Sequence, residues 1–118
     1  MLKIKRIYEL PDRDDGFRVL VDRLWPRGVS KERAHLDLWL KEIAPSDRLR
    51  KWFAHDPKRW AGFVSKYRKE LSGRKDLLLQ IKTLEAEHGT VTLLYSAHDP
   101  LHNQAVALRQ ILKGRLWG

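Results

Sequence analysis

The 118-residue sequence contains no cysteine. This absence excludes disulfide bonds, thiolate metal ligands and a cysteine nucleophile. Long apolar runs are also missing, because none approaches the roughly 20 residues that a membrane-spanning helix requires. We therefore expect no membrane partner. A secretory signal is not visible either, since an alternating polar segment follows Met1 where an apolar core would stand. These features predict a cytoplasmic protein.

Acidic residues are few, with 15 Asp and Glu against 24 Lys and Arg, and the net charge is +9. A pI near 10.1 favours anionic partners, either a small molecule or a nucleic acid. The composition is otherwise that of a globular protein, with 42% hydrophobic residues and five tryptophans. The length fits a single domain over residues 1–118. No motif indicates a cofactor, so we expect none.

Three segments have residue patterns typical of β-strands. Residues 2–8 alternate polar and apolar at their start, and residues 90–96 are rich in β-branched and aromatic side chains. Residues 17–22 are more apolar than residues 2–8, which predicts a more central strand. The pairing of the first strand stays open. The short link to the second strand suits an antiparallel hairpin, whereas a parallel crossover normally needs about a dozen residues.

Helical signals fill the region between the second and third strands. Ser46 is placed to cap a short helix, Asp56-Pro57 to begin a longer one, and Asp99-Pro100 to begin the last helix. Such a long connection predicts that strands two and three are parallel. The expected fold is therefore α/β, a small and largely parallel three-stranded sheet covered by helices in a single domain. A first helix is predicted from the i, i+3, i+4, i+7 spacing of four apolar residues: Leu36, Trp39, Leu40 and Ile43.

The carboxyl ends of strands two and three should lie together at one edge of the sheet, where ligands gather in α/β folds. The last helix would point its free backbone N–H groups at this edge. We predict that an anionic, phosphate-bearing ligand binds there, because guanidinium groups complement phosphate oxygens. In the alternative, Asp22 and the following arginine form only a structural salt bridge. The predicted ligand-binding residues are Arg23, Trp25, Arg27, Gly28, Lys31, Ser96 and Asn103.

Two other functions fit the same residues. Asp22 and Asp99 are candidate catalytic carboxylates for acid–base hydrolysis, if their strand ends are neighbours. A DNA-binding regulator would instead contact duplex phosphates through distributed Lys and Arg. His98 and His102 have the spacing of a zinc-binding pair, but Pro100 places His98 before the helix, and no third ligand has an evident place. We therefore predict no metal site, and the residues leave open whether the protein is an enzyme.

Four motifs occur in order in the chain and together resemble the YeaO-like branch of the domain-of-unknown-function 488 superfamily. They are Val-Leu-Val-Asp-Arg-Leu-Trp-Pro-Arg-Gly, Leu-Trp-Leu-Lys-Glu-Ile-Ala-Pro-Ser, Leu-Arg-Lys-Trp-Phe and Thr-Leu-Leu-Tyr-Ser-Ala. The resemblance covers residues 3–113. It implies a compact, bacterial, cytoplasmic α/β domain, and it brings no established activity. Some similar proteins are labelled as MarR-type regulators, but two clear strands around helices do not indicate a winged helix-turn-helix.

The same resemblance bears on catalysis at the start of the last helix. The superfamily usually has a Cys-His-Arg triplet there, and this chain has Asn103-Gln104-Ala105 at the corresponding place. Chemistry that depends on that cysteine cannot operate in this chain. The predicted site at the sheet edge must therefore act by binding, or through other residues.

Overall fold

A computed structural model describes residues 1–114 of the chain. Four strands form one sheet: β1 (Leu2–Arg6), β2 (Phe17–Leu20), β3 (Leu38–Trp39) and β4 (Val91–Tyr95). Their order is β1-β4-β2-β3, and every pair is parallel. The predicted α/β fold with a parallel sheet is confirmed. Residues 115–118 of the predicted domain lie outside the described range.

The prediction of three strands is wrong, because the sheet has four. The apolar spacing around Leu38 and Trp39 predicts a helix, but these two residues form β3 and pair with Val19 and Leu20 of β2. A strand of two residues is too short to show alternation. Residues 38–40 are all apolar, because both faces of the sheet are covered. A short apolar run of this kind cannot be told from the apolar stripe of a helix by its spacing alone.

β1 pairs with β4, from Leu2 opposite Val91 to Arg6 opposite Tyr95. This settles the pairing that the sequence leaves open: β1 is parallel, and β4 separates it from β2. Residues 7–16 carry the chain past β4 with a single 3-10 turn, Arg13–Asp15. The Thr92 hydroxyl of β4 donates a hydrogen bond of 2.6 Å to the Asp15 carbonyl, which holds this crossover against the central strand.

A buried ionic group completes this crossover. Asp15 and Arg18 are both buried and form an ion pair at 2.5 Å, and Lys5 approaches the same carboxylate at 3.1 Å. Burial acts to raise the pKa of Asp15, but the Asp12 amide, Lys5 and Arg18 together hold that pKa below its usual value. Because its charge is paired and hydrogen-bonded, the carboxylate tolerates its position in the interior.

Within residues 1–114, five α-helices surround the sheet: α1 (Lys31–Ala34), α2 (Asp47–Phe53), α3 (Trp60–Leu71), α4 (Lys75–His88) and α5 (Gln104–Lys113). The main core lies between α2–α5 and the sheet face that carries Val19, Val21 and Leu93. A smaller cluster on the other face contains Leu20 and Leu94 and is covered by the loops around α1. None of the helices within residues 1–114 combines the length and the apolar character needed to cross a membrane.

The observed helix starts agree with the predicted starts at Ser46 and Asp56 and differ at the last helix. Ser46 caps α2 by accepting a hydrogen bond from the Leu49 amide at 3.1 Å. Asp56 accepts from the Lys58 amide at the 3-10 turn Pro57–Arg59 that leads into α3. The last helix, however, begins at Gln104 and not at Asp99-Pro100, so that prediction is wrong. Asp99 instead stabilises a separate turn before α5, which gives the same local signal as a helix cap.

Candidate functional site

Asp22 lies at the carboxyl edge of the sheet, just beyond the end of β2. The Val21 amide still pairs with the Leu94 carbonyl at 3.1 Å, so Asp22 follows directly on the paired region beside β4. Its side chain is only 7% exposed. Oδ1 accepts a hydrogen bond from the Gln104 side chain in the first turn of α5. Oδ2 is buried and makes no hydrogen bond within residues 1–114.

Burial raises the pKa of the Asp22 carboxyl above its usual value, and the nearby polar groups of Ser96, its hydroxyl and amide, oppose this shift only in part. Desolvation disfavours the charged form of an acid when its charge is not matched by a cation. Asp22 therefore keeps its proton to a higher pH than an exposed aspartate does. A buried carboxyl of this kind can accept or donate a proton, or can bind a donor group of a ligand.

Asp99, the second predicted carboxylate, has a different environment. Its oxygens accept hydrogen bonds from the Leu101 amide at 2.9 Å and the His102 amide at 3.2 Å. The His102 ring lies 2.8 Å from Oδ2. The Leu101 amide, followed by the His102 side chain, lowers the pKa of Asp99. Asp22 and Asp99 therefore share an edge of the sheet, but each is hydrogen-bonded to its own partner group.

Arg23 points to a different set of groups from Asp22. Its half-buried guanidinium contacts the Ala44 carbonyl at 3.3 Å and the Pro45 carbonyl at 3.3 and 3.4 Å. No ion pair between Asp22 and Arg23 forms in the described part of the chain. Arg23 lines a cavity of about 270 Å³, which we call the Arg23 cavity. Its other lining residues are Ala44, Ser46, Tyr67, Glu70, Leu71 and Arg74.

Two guanidinium groups and one carboxylate determine the charge of the Arg23 cavity. Glu70 is engaged by Ser46, whose amide and hydroxyl donate to its two oxygens at 3.0 and 2.5 Å. Arg74 donates to the Glu42 carbonyl, and Tyr67 donates to the Ile43 carbonyl at 2.5 Å. Burial, followed by the charge of Glu70, raises the pKa of Tyr67, so the phenol stays neutral. The cavity as a whole is basic.

The turn after Arg23 packs against the smaller cluster. The Trp25 indole donates to the Val29 carbonyl at 2.6 Å and lies edge-on to Trp39, with 5.4 Å between ring centroids. Gly28 has φ +74°, a backbone conformation that favours glycine. It lines a separate cavity of about 80 Å³, and Arg23 is not part of that lining. Arg23 and Gly28 therefore border different cavities.

Four of the predicted ligand-binding residues remain to be placed in the structure. Arg27 and Lys31 are exposed, and the Arg27 carbonyl accepts a hydrogen bond from Tyr8 at 2.9 Å. Asn103 is 2% exposed. Its side chain accepts from the Val106 amide at 3.0 Å and donates to the Asp99 carbonyl at 2.9 Å, so it serves as the cap of α5. Ser96 is the predicted residue that lies beside Asp22.

The two candidate zinc ligands have separate partners. The His98 ring lies 3.2 Å from the Arg6 guanidinium, whereas His102 faces Asp99. Over residues 1–114 there is no group of three or more His, Asp or Glu side chains arranged to hold a metal ion.

The sequence analysis assigns no role at the candidate site to Gln104, Glu70 or Arg74. Gln104 follows the true cap of α5, and locating that cap correctly would have drawn attention to it. Glu70 and Arg74 lie at the end of α3 and just after it, and no local pattern connects them with Arg23. Their approach to Arg23 depends on how α3 packs against the loop after β3, which is a tertiary property.

The chain is similar to known proteins over almost its whole length. A family described as the inactive DUF488-N3 subclade matches residues 1–117. An uncharacterized protein of Mycobacterium tuberculosis strain H37Rv, Rv3073c, is 38% identical over 114 residues, which cover 97% of this chain and 95% of the relative. The uncharacterized protein YeaO of Escherichia coli K12 is 39% identical over 112 residues, covering 95% and 96%. No solved structure matches significantly. The chain thus belongs to the inactive DUF488-N3 subclade, within the YeaO-like branch that its motifs resemble.

Proposed function

We propose that this protein binds a small anionic ligand, carrying phosphate or carboxylate, in the Arg23 cavity at the carboxyl edge of the sheet. The observation that carries the proposal is the state of Arg23. Its guanidinium is half-buried, and its contacts with carbonyl oxygens are all 3.3 or 3.4 Å, longer than the roughly 2.9 Å of a normal N–H···O bond. A partly desolvated guanidinium whose hydrogen bonds to neutral carbonyls are long forms a stronger hydrogen bond with an anionic oxygen, because that bond is charge-assisted.

The size and charge of the cavity support the same ligand class. A volume of about 270 Å³ is close to the lower end of small-molecule sites, roughly 300–1,000 Å³. Arg74 provides a second guanidinium on the wall, and the one carboxylate, Glu70, is already engaged by Ser46. The guanidinium groups of Arg23 and Arg74 could both donate hydrogen bonds to one phosphate or carboxylate. The predicted roles of Arg27 and Lys31 are not part of this proposal.

Binding without turnover is the form of this function that we favour. The family is described as inactive, and Asn103-Gln104-Ala105 stand where the resemblance places the superfamily's Cys-His-Arg triplet. In this chain Asn103 caps α5 and Gln104 holds Asp22. Neither amide is a nucleophile. A cytoplasmic location stays a prediction from the sequence.

The test is isothermal titration of the full chain with inorganic phosphate, adenosine monophosphate and citrate. Arg23→Gln and Arg74→Gln should each weaken binding of the best probe about tenfold or more, because a charged hydrogen bond contributes about 1.5–3 kcal/mol. The matched control is Arg33→Gln, which removes an arginine at the separate cavity. The proposal is rejected if none of the three probes binds the wild type. It is equally rejected if Arg23→Gln and Arg33→Gln bind alike.

Acid–base hydrolysis through Asp22 is a second candidate, which one observation favours. Asp22 Oδ2 is buried and free of hydrogen bonds within residues 1–114, an unusual state for a native polar atom. Hydrolysis of p-nitrophenyl phosphate by the full chain tests this candidate. Turnover that Asp22→Asn abolishes, while binding in the Arg23 cavity persists, would support it, and absence of turnover would remove it.

A further inference from the structure

The basic charge of this protein is concentrated in α2, α3 and the residues that join and follow them. Residues 47–75 contain ten Lys or Arg against three Asp or Glu. Their net charge of +7 compares with +9 for the entire chain. The ten basic side chains are all exposed: Arg48, Arg50, Lys51, Lys58, Arg59, Lys66, Arg68, Lys69, Arg74 and Lys75.

The centre of this charge is a tryptophan at the contact between α2 and α3. A Cβ at Gly62 would lie 2.8 Å from Cη2 of Trp52, so glycine allows the ring to sit directly against α3. The Arg59 guanidinium lies 5.3 Å from the centroid of the Trp52 ring, and the Lys66 ammonium lies 5.0 Å from it. Cation–π contacts at these distances are attractive, and they hold the two cations over one platform.

Helical spacing extends this surface in both directions. Lys69 follows Lys66 by three residues along α3, and Arg48 precedes Trp52 by four residues along α2. Residues three or four apart share a face of a helix. We call this surface the Trp52 face and define it as Arg48, Trp52, Arg59, Lys66 and Lys69.

Neighbouring acids leave most of this charge uncompensated. Asp56 approaches Arg59 at 3.8 Å, and Asp47 pairs with Arg50, which is outside the Trp52 face. Arg48, Lys66 and Lys69 form no ion pair within residues 1–114. Like charges held this close repel one another. The arrangement therefore favours a partner that brings several negative charges at regular intervals.

We propose that the Trp52 face binds the phosphate backbone of a nucleic acid. Arg59 directly precedes α3, and the distance along the helix axis from Arg59 to Lys69 is about 15 Å. Along the axis of a duplex, one strand carries about four phosphates over that length, at a rise of roughly 3.4 Å each. Arginine forks and lysine ammonium groups both bind phosphate oxygens, and neither reads base sequence. Binding without strong sequence preference is therefore expected.

The surface is less suited to a lipid membrane. Peripheral membrane helices insert large apolar side chains among their cations. The large exposed hydrophobic residues of the described chain all lie outside residues 47–75: Met1, Tyr8, Leu10, Leu24, Leu79 and Leu101. Trp52 itself is half-buried and covered by cations. The proposal also goes beyond small-anion binding, because the Trp52 face contains neither Arg23 nor any other lining residue of the Arg23 cavity.

Fluorescence anisotropy with labelled single-stranded and duplex DNA, and with single-stranded RNA of the same sequence, tests the proposal. The variant combines Arg48→Gln, Lys66→Gln and Lys69→Gln. The control combines Arg13→Gln, Arg33→Gln and Lys41→Gln, three exposed cations elsewhere. It removes the same net charge and, at Lys41 over Trp39, also one cation–π contact. Circular dichroism verifies that both variants are folded.

Wild-type protein should bind at least one of the three nucleic acids. Its log–log salt slope should be about −0.9 per duplex phosphate contact, or about −0.7 per contact on a single strand. The variant should lose about tenfold or more in affinity, with a shallower slope by two to three contacts, whereas the control should change less than about threefold. Equal losses in both variants would show that only net charge matters and would overturn the proposal. It would also be overturned by absence of binding, or by preferential binding to phosphatidylglycerol vesicles. Arg23→Gln should leave nucleic-acid binding unchanged, which separates this result from the small-anion test.

Discussion

Replacing Asp22 by Asn should stabilise this protein at neutral pH, although the substitution removes a charge from the candidate site. The Asp22 carboxyl is buried, has one oxygen without a hydrogen bond in the described chain, and lacks a paired cation. Burial raises its pKa in the folded protein. In the unfolded chain the same group ionises freely, with a pKa of about 3.9. Folding at a pH above this unfolded pKa therefore costs free energy, because the buried site disfavours the charged form of the carboxyl.

The direction in which stability changes with pH follows from the number of protons that the folded and unfolded states bind. Between the unfolded pKa and the raised folded pKa, the folded state binds more protons than the unfolded state, so the free energy of unfolding falls as pH rises. The full cost is present above the folded pKa and absent below the unfolded one. A buried, unsatisfied polar group costs about 1–3 kcal/mol. Asn keeps an oxygen for Gln104, so Asp22→Asn should recover about 1 kcal/mol, or about 4 °C in Tm for a chain of this length.

Thermal unfolding of wild type and Asp22→Asn, followed by circular dichroism in steps from acid to slightly alkaline pH, measures this effect. The difference in Tm should vanish in acid and grow as pH rises. Asp99→Asn is the matched control, because its pKa is lowered and not raised. That variant should be destabilised at neutral pH and should match wild type in acid. A pH-independent difference for Asp22→Asn, or a lower Tm at neutral pH, would refute the reasoning.

Three further substitutions test the buried ion pair of the crossover, the packing beneath the Trp52 face and the helix cap beside the Arg23 cavity. Arg18→Met leaves Asp15 buried with only Lys5 as its ionic partner, and should lower the free energy of unfolding in urea by about 3–5 kcal/mol. Adding Asp15→Asn should recover part of that loss, and no recovery would contradict the assigned pairing. Gly62→Ala forces a Cβ against Trp52 and should cost about 1–3 kcal/mol in the same assay, so an unchanged midpoint would show that the two helices do not approach as described. Ser46→Ala removes the cap of α2 and should cost about 1 kcal/mol. Ser46→Asp, which retains a capping oxygen but repels Glu70, should not restore full stability.

Strand β2 shows how much of the fold the sequence can predict. Val19, Leu20 and Val21 are all fully buried, and a near-continuous apolar run is typical of a strand covered on both faces. β3 was not predictable because two residues carry too little pattern. The start of α5 was misplaced because Asp99 and Asn103 both make the hydrogen bonds of a cap, and local sequence does not show which of them begins the helix.

The candidate site also has one part that the sequence predicts and one part that it does not. The approach of Asp22 to Ser96 follows from parallel strands that end at one edge, which needs only secondary structure and topology. The cavity partner of Arg23 is different. Arg74 is distant in sequence and reaches the cavity only because α3 packs back against the loop after β3. Such a contact depends on the angle and register of packed helices, which hydrophobic spacing alone does not specify.

The position of β4 has a consequence for how this protein forms during synthesis. Of the four strands within residues 1–114, β4 is the last to leave the ribosome, yet it is inserted between the first two. Until residues 91–95 emerge, β1 and β2 have no strand between them to pair with. The apolar side chains of β2 therefore stay exposed until β4 completes the sheet. Assembly is thus governed by long-range contacts, which slow folding and prolong the exposure of nascent strands. A nascent chain arrested before residue 91 should be sensitive to protease and should bind chaperones, whereas release of residues 91–113 should end both properties together.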